Sequence, residues 1–134
     1  PLAAAAGHAV VSAMLDRDLL SRVREKGAML AKALQATFGQ HPHVGDIRGR
    51  GLFRGLELVE DRATKAAFEP GRKLHAKVKA AAMEEGLICY PAGGTIDGKH
   101  GDHILLAPPF IIEDAQIDEL TSKLSTALER ALAA

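Results

Sequence analysis

Aromatic residues make up only 4 % of this chain and tryptophan is absent, so any core must be built from Leu, Ile, Val and Ala. There is one cysteine, Cys89, which excludes an intrachain disulfide framework and suits a reducing compartment. An excess of charge is missing too, because 17 basic residues balance 17 acidic ones. Zero balance without a basic block argues against nucleic acid or an anionic membrane as the main partner. No run approaches the roughly 20 apolar residues of a membrane span. The apolar opening Pro1-Leu2-Ala3-Ala4-Ala5-Ala6 follows no positively charged segment and is interrupted at His8, so it is not a secretory signal. A soluble, cytoplasmic, single-domain protein is expected from these 134 residues.

What is present suffices for a core. Hydrophobic residues account for 47 % of the chain, and a domain of this size buries roughly two-thirds of its unfolded surface. Residues 1–15 read as an Ala-rich helix with Ala6, Val10, Ala13 and Met14 along one side. That side has little nearby to cover it, so the chain reads as cut rather than begun. Asp16 or Asp18 is the expected cap of the next helix. Residues 19–38 carry the strongest helical period: Leu19, Leu20, Val23, Leu30, Leu34 and Phe38 share a face, opposite Arg22, Arg24, Glu25 and Lys32. Gly27 interrupts this helix, which close packing against a neighbour would explain, and Gly39 is placed to cap it.

Residues 44–58 predict two short strands with a bend or bulge at Gly49-Arg50-Gly51, followed by a polar connection over 60–70. Residues 71–85 predict a helix with Leu74, Val78, Ala81 and Ala82 inward, capped by Gly86. A short buried strand over 87–90 is expected to stop at Pro91, and a glycine-rich loop to span 92–102. A further strand over 104–107 should end at Pro108-Pro109. A last helix starts at Asp114 and buries Ile117, Leu120, Leu124 and Leu128. This order predicts an α+β fold: a small, mostly antiparallel sheet with helices packed on one side.

Chemistry-bearing patterns are sparse. Gly49-Arg50-Gly51 fails as a dinucleotide fingerprint, because Arg54 stands where a third glycine is needed and a strand follows instead of a helix. A glycine bulge is the better reading. His41 and His43 lie in a proline loop; His100, Asp102 and His103 lie in or beside the glycine loop. Neither group has the rigid, convergent spacing of a zinc site, so no metal is expected. Cys89, within an apolar strand, reads as a small buried hydrophobe. A Schiff-base lysine must be desolvated to be neutral near pH 7. The eight lysines (Lys26, Lys32, Lys65, Lys73, Lys77, Lys79, Lys99 and Lys123) fall on polar faces or in loops, and none is expected to be buried. No self-sufficient active site is visible. The 92–102 loop is long for a hairpin, which fits a substrate wall, a subunit contact or a surface excursion.

Three stretches nonetheless carry a resemblance: Pro1-Leu2-Ala3-Ala4-Ala5, Gly45-Asp46-Ile47-Arg48-Gly49-Arg50-Gly51-Leu52, and Gly101-Asp102-His103-Ile104-Leu105-Leu106-Ala107-Pro108-Pro109-Phe110. In this order and spacing the chain resembles the C-terminal part of a class III (omega-type) aminotransferase, a pyridoxal-phosphate enzyme of fold type I. The resemblance implies that residues 1–16 are a helix linking to a large domain and residues 17–134 the small domain. It places the cofactor's lysine, the aspartate on the pyridine nitrogen and the stacking aromatic in that large domain, so no catalytic or cofactor-binding residue is expected here. Pyridoxal phosphate belongs to the parent enzyme, with none expected on this chain alone, which should be inactive.

The implied partners are a small-molecule amino donor, a keto acid, the large domain, and further copies in a homodimer or tetramer. Tyr90, Pro91 and Gly93 would edge the substrate pocket, while Arg48, Gly49 and Gly51 shape the bend. Many omega-transaminases carry a carboxylate-binding arginine where this chain has Tyr90, and others carry one before the Pro-Pro pair, where Leu105 and Leu106 stand. A phenol cannot replace a bidentate guanidinium, which leaves Lys99 and His100 as candidate replacement contacts. The alternative is a non-catalytic α+β binding domain that kept the fold.

Overall fold

The computed structural model describes residues 1–134. Helices α1 (Leu2–Asp16) and α2 (Leu19–Phe38) lead into a hairpin of β1 (Val44–Arg50) and β2 (Phe53–Leu58). A short 3-10 turn (Pro70–Arg72) precedes α3 (Leu74–Glu84), then come β3 (Tyr90–Gly93), β4 (Asp102–Leu106) and α4 (Asp114–Ala133). The four strands form one antiparallel sheet in the order β1-β2-β4-β3. Helices α2, α3 and α4 cover one face of it, as the α+β reading expects.

The main core is a single cluster that joins Leu30, Leu34 and Phe38 of α2 to Leu56, Leu58, Ile104 and Leu106 of the sheet. Leu74 and Val78 of α3 and Ile117, Leu124 and Leu128 of α4 complete it. Each such side chain contributes about 1.5–3 kcal/mol by leaving water. No residue of α1 is buried, in keeping with its unpartnered apolar side. Both bounds of α2 match the periodicity, and α3 buries the four residues expected of it. Its end is a Schellman closure: Leu87 N–H donates to Ala82 O at 2.8 Å and Gly86 N–H to Met83 O at 3.1 Å, with Gly86 at φ +74.

Several expectations are corrected. Asp18 precedes α2 in a left-handed conformation (φ 46) and its side chain makes no capping hydrogen bond. Gly39 is the C-cap of that helix as expected, donating its N–H to Gln35 O at 2.9 Å, although it does so in the right-handed region (φ −61). The Gly49-Arg50-Gly51 segment is no bulge: Arg50 pairs with Phe53 across a two-residue turn, and the register slips at Gly45, between Val44 and Asp46. The 60–70 connection hides Phe68 in the core. The helix expected over 71–85 starts three residues later, because Lys73 adopts φ 50 between the 3-10 turn and α3.

Pro91 does not stop its strand but lies inside β3, buried and opposite Ile104. Its missing N–H is tolerated because β3 is an edge strand. Residues 87–89 therefore precede the strand, and the loop shrinks to residues 94–101 between Gly93 and Asp102. The strand expected over 104–107 spans Asp102–Leu106.

Candidate functional site

Side chains alternate along a strand, so Leu56, Ile104 and Pro91 turn toward the helices while Phe53, Leu105 and Tyr90 turn to the other face. No element of the chain covers that second face. Phe53 is 57 % exposed, Tyr90 67 % and Ile88 85 %. With Cys89, Leu105 and Ala107 they line a depression of about 380 Å³ that contains no polar side chain beyond the Tyr90 phenol and Cys89 thiol. Burial pushes the Cys89 thiol above its ordinary value, which keeps it protonated and unreactive near neutrality. A second depression of about 270 Å³ adjoins it through Phe53 and Leu105 and is bounded by Arg48, Gly49 and His103. Arg48 there is occupied, holding Asp46 at 2.8 Å and Glu57 at 2.9 Å. The open face is thus an apolar, partly aromatic wall.

The expected pocket residues separate into two groups. Tyr90 lies on this wall, whereas Pro91 points inward. Gly93 ends β3, about 10 Å along the strand from Tyr90 at the usual rise. A side chain at Gly93 would collide with the His75 ring, whose Nδ1 would lie 2.6 Å from the added Cβ. His75 in turn sits 2.5 Å from a buried Asp102 carboxylate, which also accepts the His75 backbone N–H at 3.2 Å. This latch fastens the root of the 94–101 loop to α3. Sequence reading missed it, since 27 residues separate its members.

Beyond the latch, Asp97 accepts the backbone N–H groups of His100 at 2.7 Å and Lys99 at 2.9 Å, and sits 2.8 Å from His100 Nδ1. These bonds, led by the His100 N–H, pull the Asp97 carboxyl down to about 2. The Lys99 ammonium forms no ion pair. The loop therefore presents one free cation and one carboxylate-held imidazole.

The metal candidates diverge for a simple reason. Asp102 and His103 are neighbours on β4 and face opposite sides of the sheet, and His100 is engaged by Asp97. His41 lies 2.9 Å from Glu129, and His43 Nδ1 lies 3.1 Å from the Val59 and Glu60 carbonyls. The phosphate-loop reading of Gly49–Gly51 fails on geometry too. Arg54 donates from Nη1 to Gly49 O at 2.8 Å, from Nε to Gly51 O at 3.0 Å and from Nη2 to Gly27 O at 2.9 Å. The turn aims carbonyls at a guanidinium instead of N–H groups at an anion.

One lysine departs from expectation. Lys26 is 6 % exposed, packed between α2 and the start of α4. The sequence pattern places it on a polar face, because its partner, Asp114, is 88 residues away. The stem is covered while Nζ emerges at the rim between Asp114 and Glu25, both of them exposed. The hydrogen bond to Asp114 raises its pKa above 10.5 and outweighs the opposing effect of burial. Pyridoxal phosphate requires an unprotonated amine, and the one buried lysine is locked as ammonium.

The sequence profile of the family Aminotransferase class-III matches residues 1–128. An uncharacterized aminotransferase of Schizosaccharomyces pombe is 47 % identical over 134 residues, all of this chain and 29 % of the relative. The diaminobutyrate–2-oxoglutarate transaminase of Halomonas elongata is 32 % identical over 96 % of this chain and 26 % of its own length. Among solved structures, a transaminase from an ancestral-reconstruction study superposes with a TM-score of 0.87 at 31 % identity, covering 99 % of this chain and 28 % of its own. An (S)-enantioselective omega-transaminase of Thermomicrobium roseum gives 0.80 at 31 % identity, with 91 % and 25 % covered. The chain spans between a quarter and three tenths of the length of these relatives.

Proposed function

Since the chain belongs to the class-III aminotransferase family, we propose that it serves as the small domain of a pyridoxal-phosphate-dependent enzyme moving amino groups between an amine or amino acid and a keto acid. Residues 17–134 form that domain, and residues 1–16 form the helix leading toward a large domain. The observation that carries this reading is the family match along nearly the whole chain, reinforced by likeness to transaminase structures at a TM-score of 0.87. The bare sheet face and the exposed apolar side of α1 are the surfaces such a large domain would cover. The cofactor is held outside these residues, in keeping with the ammonium state of Lys26. A cytoplasmic parent fits the single free thiol, and a dimeric or tetrameric assembly belongs to the same reading.

In this reading the domain's task is to wall and select. Tyr90, with Phe53 and Leu105 behind it, excludes water from the apolar part of a substrate. Pro91 holds the wall's edge strand in place, and Gly93 leaves room for the latch below. The Lys99 ammonium and the His100 imidazole stand at the loop tip as hydrogen-bonding groups for a substrate carboxylate, in place of the arginine that Tyr90, Leu105 and Leu106 cannot supply. Arg48, Gly49 and Gly51 shape the hairpin under the wall.

Steady-state transamination by a full-length enzyme carrying this domain tests the proposal. Tyr90→Ala, and separately the pair Lys99→Ala with His100→Ala, should raise the amino-acid KM while kcat is largely retained. An unchanged KM in both variants overturns the pocket assignment. Failure of the full-length enzyme to transaminate any amino donor overturns the activity.

A further inference from the structure

The nine arginines differ sharply in how they are partnered. Arg22, Arg48 and Arg130 meet carboxylates. Arg54, Arg62 and Arg72 donate to backbone carbonyls. Arg17, Arg24 and Arg50 meet no acid at all, and Arg24 has only the Ser21 hydroxyl, at 3.0 Å. Two of these three, Arg24 and Arg50, line the same cavity.

That cavity, of about 510 Å³, opens between α2 and the hairpin turn. Arg54 forms part of its wall with each of its three nitrogens already donating to a carbonyl, and Phe53 and Val23 supply apolar surface. No acidic side chain lines it. Its volume lies in the range of about 300–1,000 Å³ typical of small-molecule sites. Arg24 and Arg50 are both exposed at this cavity and no anion of the chain meets either of them. An oxyanion accepts the planar donor forks in pairs.

We propose that the cavity lined by Arg24, Arg50 and Phe53 binds a small organic oxyanion, a carboxylate or phosphate carried on a flat apolar body. Arg24 and Arg50 hold the oxygens while the body lies against the Phe53 ring. This site sits around the corner from the Tyr90 wall, with Phe53 at the edge between them, and it does not depend on the aminotransferase reading.

Amide-resolved NMR titration of the 134-residue chain tests it, using benzoate, phenyl phosphate, acetate and inorganic phosphate as probes. Saturable shifts at Gly27, Ala28 and Gly51 are expected, weakening as salt rises. The aromatic probes should bind about three- to tenfold tighter than acetate and inorganic phosphate, the usual gain from an aromatic pair. The tighter of benzoate and phenyl phosphate identifies the head group. Arg24→Gln with Arg50→Gln should abolish the shifts, and the corresponding Lys pair should retain weakened binding. Phe53→Ala should erase only the aromatic preference. Arg17→Gln, which removes the unpaired arginine outside the cavity, should change nothing. Absence of saturable shifts with all four probes overturns the proposal, as does a loss in Arg17→Gln equal to that in the double variant, which would mark diffuse attraction to positive charge.

Discussion

Gly27 in α2 and Gly51 in the hairpin turn touch backbone to backbone: a Cβ placed on Gly27 would fall 2.5 Å from the Gly51 carbonyl carbon. Gly51 meanwhile holds φ +56, a left-handed conformation that few side chains tolerate. The two glycines let a helix rest directly on a turn, and Arg54 then ties both carbonyls together.

Gly27→Ala should therefore destabilise the protein, although alanine is the better helix former. Propensity favours alanine by about 1 kcal/mol, while overpacking costs about 1–3 kcal/mol and lies at the upper end where the obstacle is backbone. A net loss of about 1–2 kcal/mol is expected from chemical denaturation. Gly7→Ala is the control, since nothing lies within 4 Å of its added Cβ. It should be neutral or slightly stabilising.

Arg54→Ala frees three carbonyls that now share one guanidinium. Hydrogen bonds from charged donors contribute about 1.5–3 kcal/mol each and are not additive, so a total loss of about 2–4 kcal/mol is expected. Arg54→Lys should recover little, because a single ammonium cannot reach three separated acceptors. Urea midpoints for the two variants decide this, and a lysine variant as stable as the parent would contradict the role.

Lys26 should resist conversion to an imine. Incubation with pyridoxal phosphate and borohydride near neutral pH should leave it unmodified in a peptide map. Its pKa is raised in the folded state, so the Lys26–Asp114 bond stabilises the fold fully below 10.5 and that stabilisation is lost as pH climbs through the higher folded value. The stability gap between wild type and Lys26→Gln should be flat from neutrality to pH 10 or so and narrow only above 10.5.

Asp97 carries the opposite sign. Its folded pKa is depressed from 3.8 to about 2, so the loop's hydrogen bonds are complete above 3.8 and fail as pH falls through about 2. The Lys99 and His100 amide resonances should titrate with a midpoint near 2 and not near 3.8. Asp97→Asn should loosen the same two amides at neutral pH, measured by hydrogen exchange.

Legibility in the sequence followed the range of the interactions involved. The bounds of α2 and most of its buried face follow a local 3.6-residue period and were readable, although Leu20, expected inward, is 52 % exposed. The Schellman closure at Gly86 needs only neighbouring residues and was readable as well. Pro91 was read as a strand stop because its tolerance depends on β3 lying at the sheet edge, a fact of topology. Lys26 was misplaced because its burial rests on Asp114, far along the chain. The His75–Asp102 latch and the three carbonyls on Arg54 left no spacing signal for the same reason. Phe68 was lost in a polar connection, although a lone aromatic among polar residues was the clue available. Of the proposed pocket edge, Lys99 and His100 were legible as loop residues, but Tyr90 and Ile88, expected in a buried strand, stand exposed because no element of this chain covers that face of the sheet.

That no residue of α1 is buried has an architectural corollary. A helix that lends nothing to the interior acts as an adjustable strut: inserting one residue rotates anything fused ahead of Leu2 by about 100° and advances it by about 1.5 Å, without disturbing one buried side chain. Orientation at that end can drift through evolution, or be dialled by an engineer, independently of the stability of the body it is attached to.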